Sequence, residues 1–418
     1  MIAGRKPGVD FAFAAAAVLI CARFAAAVVL LFDVSSPALA QRAPAPVPVP
    51  ASVAIPAPAI GAPSYLLQDV ASDQAIVAVE ADERREPASL TKLMTAYVTF
   101  AALRDKVIAA TQLVSVSAAA WHVEGSRMFI EPRKAVTVDE LLRGMIVQSG
   151  NDASIALAEL IAGSEAAFVG RMNAEAARLG LANTRFANAT GLSDPQQYST
   201  ASDLARLAAT VIRDFPDYYP LYSLREYRYN NIAQPNRNRL LWIDPYVDGM
   251  KTGHTDAAGW CLIASAKRGE RRLLAVVLGA ASDAARTGDA QKLLNYGFQA
   301  FETVQLYPSG KPVSNLRVWK GEAPDVAAGF VDNRYLTLPK GKADKLALSM
   351  TATEPLLAPV AKGQRLGTVK VTLEGKVMAE FPLVALADVP AANIVGRAWD
   401  TIRLWVKQGT GPDTGKSP

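Results

Sequence analysis

Arg84-Arg85-Glu86-Pro87-Ala88-Ser89-Leu90-Thr91-Lys92 marks the place where extended chain gives way to helix, and the fold is read outward from it. Upstream, the apolar runs Tyr65 to Asp69 and Ala75 to Glu80 flank Ser72-Asp73, the pattern of a hairpin. Downstream, Leu93, Met94, Tyr97, Val98 and Ala101 recur at helical spacing, as do Leu141, Leu142, Met145 and Ile146. A second hairpin comes much later, with Trp260 to Ala266 and Arg271 to Gly279 on either side of Arg268-Gly269, followed by an amphipathic helix over Asp289 to Phe301. Strands at both ends and helices between them predict an α+β domain over residues 64–303, one antiparallel sheet with a helical insert.

Beyond Val304 the texture changes. Val369, Val371 and Leu373 alternate with Lys370 and Thr372, and Glu374-Gly375 turns the chain into Val377 to Leu386. Such alternation predicts a small β-rich domain over residues 304–388. Residues 389–408 then read as an amphipathic helix. Ile394, Val395, Ala398, Trp399, Ile402, Trp405 and Val406 share one face, with Arg397, Asp400, Arg403 and Lys407 opposite. Two tryptophans and basic flanks fit a helix lying on a membrane surface, the alternative being a helix docked on its own domain. A disordered tail is expected over 409–418.

The N-terminus is an export signal by pattern. Arg5 and Lys6 precede an apolar stretch, and Ser35-Ser36-Pro37-Ala38-Leu39-Ala40 supplies an Ala-x-Ala cleavage site, so residues 1–40 read as a signal peptide. Residues 41–63 interleave Pro with Ala and Val and read as an extended linker. The body is therefore expected outside the cytoplasm, at the periplasmic face of a bacterial inner membrane. Of two cysteines, Cys21 falls in the signal, leaving Cys261 as a lone buried residue with no disulfide partner. The net charge of +5 is scattered rather than clustered, which gives no footprint for nucleic acid.

Three short patterns carry the chemistry: Ser89-Leu90-Thr91-Lys92, Ser149-Gly150-Asn151 and Lys251-Thr252-Gly253. Singly, the first two should each occur on the order of once by chance in a chain of this length. Placement adds the meaning. Ser89 follows Pro87 at the start of a helical pattern, and Lys92 lies three residues on, within reach of the Ser89 hydroxyl. A neutral lysine there can take the hydroxyl proton if burial and the neighbouring cation Lys251 depress its pKa. A Ser-His-Asp triad finds little support, because His122 and His254 are the only histidines and no Gly-x-Ser-x-Gly elbow occurs. No cluster has metal-ligand spacing, so neither a metal nor a cofactor is expected.

This ordered set, with Gln148-Ser149-Gly150-Asn151-Asp152-Ala153 and Val247-Asp248-Gly249-Met250-Lys251-Thr252-Gly253-His254-Thr255 around it, resembles the low-molecular-mass penicillin-binding proteins. It is most similar to the serine D-alanyl-D-alanine carboxypeptidases of the penicillin-binding protein 5 and 6 type, and the likeness runs from about Ser64 to Lys407. The resemblance implies a transpeptidase-like catalytic domain and a peptidoglycan pentapeptide as substrate. It implies that Ser89 forms an acyl-enzyme at the penultimate D-alanine, with Lys92 as proton acceptor and Ser149 as proton relay to the leaving amine. Asn151 would hold the substrate amide and Lys92, while Lys251 and Thr252 bind the terminal carboxylate and Gly253 lets the strand come close to the substrate. The backbone N–H groups of Ser89 and His254 would form the oxyanion hole, and Arg237 would lie near the carboxylate or serve its own loop. β-Lactams would acylate Ser89 by the same route.

Three rivals are weaker or closer variants. A class A β-lactamase usually carries Ser-Asp-Asn and a Glu-x-x-Leu-Asn segment, whereas Gly150 stands in the middle here and none of Glu159, Glu165 or Glu175 begins such a segment. An endopeptidase that cuts cross-links would use the same residues. A wall-binding scaffold without turnover would not need every motif side chain intact.

Overall fold

The computed structural model describes residues 56–409. The expected signal peptide, most of the linker and the tail beyond Gly409 lie outside the described residues. Within them, no single helix is long and apolar enough to cross a membrane.

The first domain is built on a five-stranded antiparallel sheet. Its strands are β1 (Ser64–Asp69), β2 (Gln74–Val79), β3 (Val247–Thr255), β4 (Gly259–Arg268) and β5 (Arg271–Ala280), in the order β2-β1-β5-β4-β3. The central pair β4 and β5 is apolar on both faces, and their side chains alternate between two cores. Ile263, Leu274, Val276 and Leu278 meet the helical insert, while Leu262, Ala264, Leu273, Ala275 and Val277 meet the helix that follows the sheet. Period-two alternation between two apolar layers explains why these strands read as unbroken hydrophobic runs. Each fully buried Leu or Val contributes about 1.5–3 kcal/mol.

The insert contains α1 (Lys92–Arg104), α2 (Asn151–Ala162), α3 (Glu165–Arg178) and α4 (Ala201–Asp214). Helix α1 is buried along nearly its whole length, at the centre of the first core. The outer helix α5 spans Asp283–Ala300, six residues earlier at its start than the spacing predicts. Ser282 caps it by accepting from the Ala285 N–H, and this polar first turn carries no apolar periodicity to reveal it. The folded region also begins earlier than Ser64: the Gly61 and Ala62 N–H groups both donate to Asp289 Oδ2 at 3.0 Å. The end of the Pro-rich segment is thus tied to α5.

The β-rich domain follows α5 without a linker. Its strands are β6 (Phe301–Tyr307), β7 (Pro312–Trp319), β8 (Asp325–Gly329), β9 (Arg334–Pro339), β10 (Leu346–Ala352), β11 (Leu356–Leu357), β12 (Arg365–Leu373) and β13 (Lys376–Ala385). Six of them form one sheet in the order β10-β12-β13-β8-β7-β11, and β6 pairs with β9. Buried Asp69 ties the two domains together: its carboxylate accepts from Arg271 Nε at 2.8 Å and from Thr303 Oγ1. The last helix, α6 (Ile394–Gly409), starts five residues later than the 389 expected from its pattern. Asp400 accepts from the Lys320 N–H at 2.7 Å. Ile394, Val395, Trp399, Ile402 and Trp405 of α6 are each more than half exposed.

Candidate active site

Ser89 sits in a 3₁₀ turn, Ala88–Thr91, and α1 proper begins only at Lys92. The expected helix start is therefore a tighter coil, and this improves the geometry. In a 3₁₀ turn side chains at i and i+3 eclipse, which sets Lys92 Nζ 3.0 Å from Ser89 Oγ. The turn is held in place from outside. Ala88 has φ 47°, a left-handed conformation uncommon for a residue with a side chain, and Gly191 packs against its carbonyl. A Cβ at Gly191 would lie 1.9 Å from Ala88 O.

Lys92 is 1% exposed and has three acceptors around its nitrogen: Ser89 Oγ, Asn151 Oδ1 at 2.7 Å and the Thr190 carbonyl. The last two can only accept. A neutral amine has two N–H bonds and one lone pair. If the N–H bonds go to Asn151 and Thr190, the lone pair faces the Ser89 hydroxyl. Burial, with the Arg237 guanidinium adding to it, lowers the Lys92 pKa to about 7 against an opposing pull from Asp152. Both protonation states are then accessible near neutrality, as a general base requires.

Asn151 is fixed at its other end by donating from Nδ2 to the Glu124 carbonyl at 2.7 Å, and it opens α2. Ser149 precedes it with φ 66°, where a wide helical turn over Gly144–Gln148 ends. Its Oγ is buried and has no hydrogen-bond partner among the described residues. A buried, unpaired hydroxyl costs about 1–3 kcal/mol unless something outside the protein meets it. This one lines the same cleft as Ser89.

Strand β3 forms the third wall, at the open edge of the sheet. It approaches the nucleophile turn closely. A Cβ on Gly253 would meet Pro87 O, Ser89 N and Ala88 Cβ, each at 3.1 Å. The glycine expected to admit the substrate thus also admits the turn that carries Ser89. Lys251 is buried and donates to the Thr252 carbonyl at 3.0 Å. Burial pushes its pKa well down, and Lys92, Arg237 and Arg286 push in the same direction. Thr252, Gly253, His254 and Arg237 all line the cleft, which measures about 730 Å³. Lys92, Asn151 and Lys251 are buried and do not line it.

Arg237 is carried by a loop stitched to β3: Asn236 accepts from the Asn238 N–H at 2.9 Å, and Asn238 Nδ2 donates to the Gly249 carbonyl at 2.9 Å. Among the described residues no carboxylate lies within ion-pair distance of Arg237. Burial and nearby Arg286 both lower its pKa, so the cleft carries unneutralised positive charge.

Several contributors were not singled out from the sequence. Thr190 gives Lys92 its carbonyl, and Asn188 shapes that turn by accepting from the Thr190 and Gly191 N–H groups at 3.2 and 2.7 Å. Asn-Ala-Thr-Gly is a visible turn signal, but nothing in it points toward Lys92. Asp152 accepts from the Met128, Phe129 and Ile130 N–H groups and pins the loop beside Asn151. Arg286 donates to the Gly253 and Cys261 carbonyls at 2.9 and 3.1 Å, bracing β3 against β4. Cys261 is buried, and burial raises its pKa, consistent with a packing residue. His122 packs at a tilt against Trp121, ring centroids 4.3 Å apart, and is not part of the cleft lining.

A serine whose hydroxyl faces a buried amine of near-neutral pKa, beside an electropositive cleft, defines a serine–lysine acyl-transfer site. The comparisons narrow the class. The chain belongs to the D-alanyl-D-alanine carboxypeptidase family, whose model matches residues 51–282, and a penicillin-binding protein 5 C-terminal domain model matches residues 301–391. The chain is 43% identical over 362 residues to the D-alanyl-D-alanine carboxypeptidase DacC of Escherichia coli K12, covering 85% of this chain and 90% of that one. Penicillin-binding protein 5 of Haemophilus influenzae superposes with a TM-score of 0.78 at 42% identity, over 80% of this chain and 99% of that structure. Penicillin-binding protein D2 of Listeria monocytogenes, solved with ampicillin bound, matches 59% of this chain and 100% of its own at 29% identity and TM-score 0.55.

Proposed function

We infer that this chain is a serine-type D-Ala-D-Ala carboxypeptidase that removes the terminal D-alanine from peptidoglycan pentapeptides through an acyl-enzyme on Ser89, and that β-lactams acylate the same oxygen. The observation that carries the reading is the 3.0 Å contact between Ser89 Oγ and Lys92 Nζ, with the other two Lys92 partners both obligate acceptors.

In the mechanism we propose, neutral Lys92 takes the Ser89 proton as Oγ bonds to the carbonyl carbon of the penultimate D-alanine. The backbone N–H groups of Ser89 and His254 receive the developing oxyanion. As the C–N bond breaks, Ser149 passes a proton to the leaving amine, a task that suits a buried hydroxyl with no other partner among the described residues. Lys251, Thr252 and Arg237 hold the terminal carboxylate, whose charge offsets the crowded cations. Lys92 passes the proton it took to Ser149 and is neutral again; water then attacks the ester carbonyl, giving a proton to Lys92, which hands it to Ser89 Oγ as the C–Oγ bond breaks.

The membrane surface is the second partner we propose. Two tryptophans and three aliphatic residues of α6 are exposed together, a face suited to lying in a lipid interface. With the signal-like N-terminus, this supports a location at the periplasmic face of the inner membrane. The enzymatic reading is tested by measuring D-alanine released from a muropeptide pentapeptide by the chain and by Ser89→Ala. Release by the first and none by the second is expected; equal release would overturn the assignment of Ser89.

A further inference from the structure

We propose that the β-rich domain carries a self-association surface, the free edge of β10, at which two copies of this chain pair strand to strand about a two-fold axis midway between their Ser349 residues. Strand β10 ends its sheet: it pairs with β12 through Leu346↔Leu373 to Ala352↔Gly367, and nothing among the described residues pairs with its other side. Sheet edges of this kind template pairing, and soluble proteins usually blunt them with charge, proline or a bulge. This edge has none of these. Its seven residues, Leu346-Ala347-Leu348-Ser349-Met350-Thr351-Ala352, include no charge and no proline, and the register to β12 runs without a shift.

The side-chain pattern chooses the occupant. Leu346, Leu348, Met350 and Ala352 share one face, because alternate residues do and because Leu348 and Met350 sit opposite buried Val371 and Val369. Yet Leu348 is 49% and Met350 41% exposed, so the apolar layer overhangs the end of the sheet. Directly paired residues of an antiparallel ladder share a face, so a two-fold perpendicular to the sheet has to pass midway between the two copies of a residue that pairs with its own symmetry mate. Centred on Ser349, that operation sets Leu348 of each copy against Met350 of the other, and Leu346 against Ala352. Every inward position then finds an apolar partner. On the outer face Ser349 meets Ser349, next to the exposed Lys370–Glu380 ion pair. A C2 contact must be self-complementary, and this strand is.

Paired Cα atoms in an antiparallel ladder lie about 4.5–5.5 Å apart, within the range a disulfide spans. The test therefore uses the full chain with Cys21→Ser and Ser349→Cys, under mild oxidation in detergent solution, with Lys376→Cys on the neighbouring hairpin as the control. A covalent dimer is expected to form at least about tenfold faster than in the control. Adding Leu348→Lys and Met350→Lys should slow it to the control rate while D-alanine release and the circular-dichroism melt of the whole chain stay unchanged, the first reporting that the catalytic domain folds and the second that the β-rich domain does. Cross-linking no faster than the control, or unaffected by the two lysines, would overturn the proposal.

Discussion

The depressed pKa of Lys92 makes a quantitative demand on the pH dependence of acylation. An ordinary lysine at its usual 10.5 is neutral in roughly one molecule in 3,000 at pH 7. With its pKa brought to about 7, Lys92 is neutral in about half. Burial and the Arg237 charge thus raise the working form by roughly 1,500-fold, the equivalent of about 4 kcal/mol in available base. Second-order acylation by a fluorescent penicillin, followed by stopped flow across pH 5 to 9, reports the free enzyme. Its rate constant should climb about tenfold per unit at the acid end and level off above a midpoint near 7. Arg237→Gln removes a cation that lowers the Lys92 pKa, so its midpoint should move upward. The amplitude will fall as well if Arg237 holds the carboxylate, but the midpoint is independent of amplitude. A rate that is flat over this range, or one still climbing at pH 9 in the unsubstituted chain, would refute a neutral Lys92 as the base.

Linkage gives the same lysine a signature in stability. Its folded pKa lies below its unfolded one, so between about pH 7 and 10.5 the unfolded chain holds a proton that the folded chain lacks. Stability relative to Lys92→Met should therefore rise by about 1.4 kcal/mol per pH unit through that window and stay level below it, as read from denaturant melts. Ser149→Ala should keep the fold, because its hydroxyl bonds nothing among the described residues, while acylation slows by about 10²–10⁴-fold in single-turnover measurements. Gly191→Ala puts a Cβ 1.9 Å from the Ala88 carbonyl at φ +83°, and penicillin labelling of Ser89 should be lost even where circular dichroism remains native. Truncation after Asp388 should release the processed protein from membranes into the soluble fraction; continued sedimentation with membranes would count against α6 as the anchor.

What was legible in the sequence was whatever rests on local pattern. The hairpins of β1–β2 and β4–β5 follow from alternation and turn residues, and the three motifs fall in one cleft as the resemblance implies. The start of α5 was missed because Ser282 and Asp283 signal a helix by capping, not by apolar spacing. The contacts of Thr190, Asp152 and Arg286 were missed for a different reason. Each acts across a long stretch of chain: Thr190 reaches Lys92 from 98 residues away. A turn or a charge in isolation does not say which partner the fold will bring to it. Gly253 is an intermediate case, since its motif was visible but its close approach to Pro87–Ser89 needs both the strand and the 3₁₀ turn in place.

If Ser89 Oγ is the nucleophile, it is the atom that a β-lactam acylates. Brief exposure to benzylpenicillin, acid quench and peptide mapping by mass spectrometry locate the adduct directly. One penicilloyl group per chain is expected, on the peptide that contains Ser89, and none on Ser89→Ala. An adduct on the Ser149 peptide, or an undiminished yield from Ser89→Ala, would contradict it.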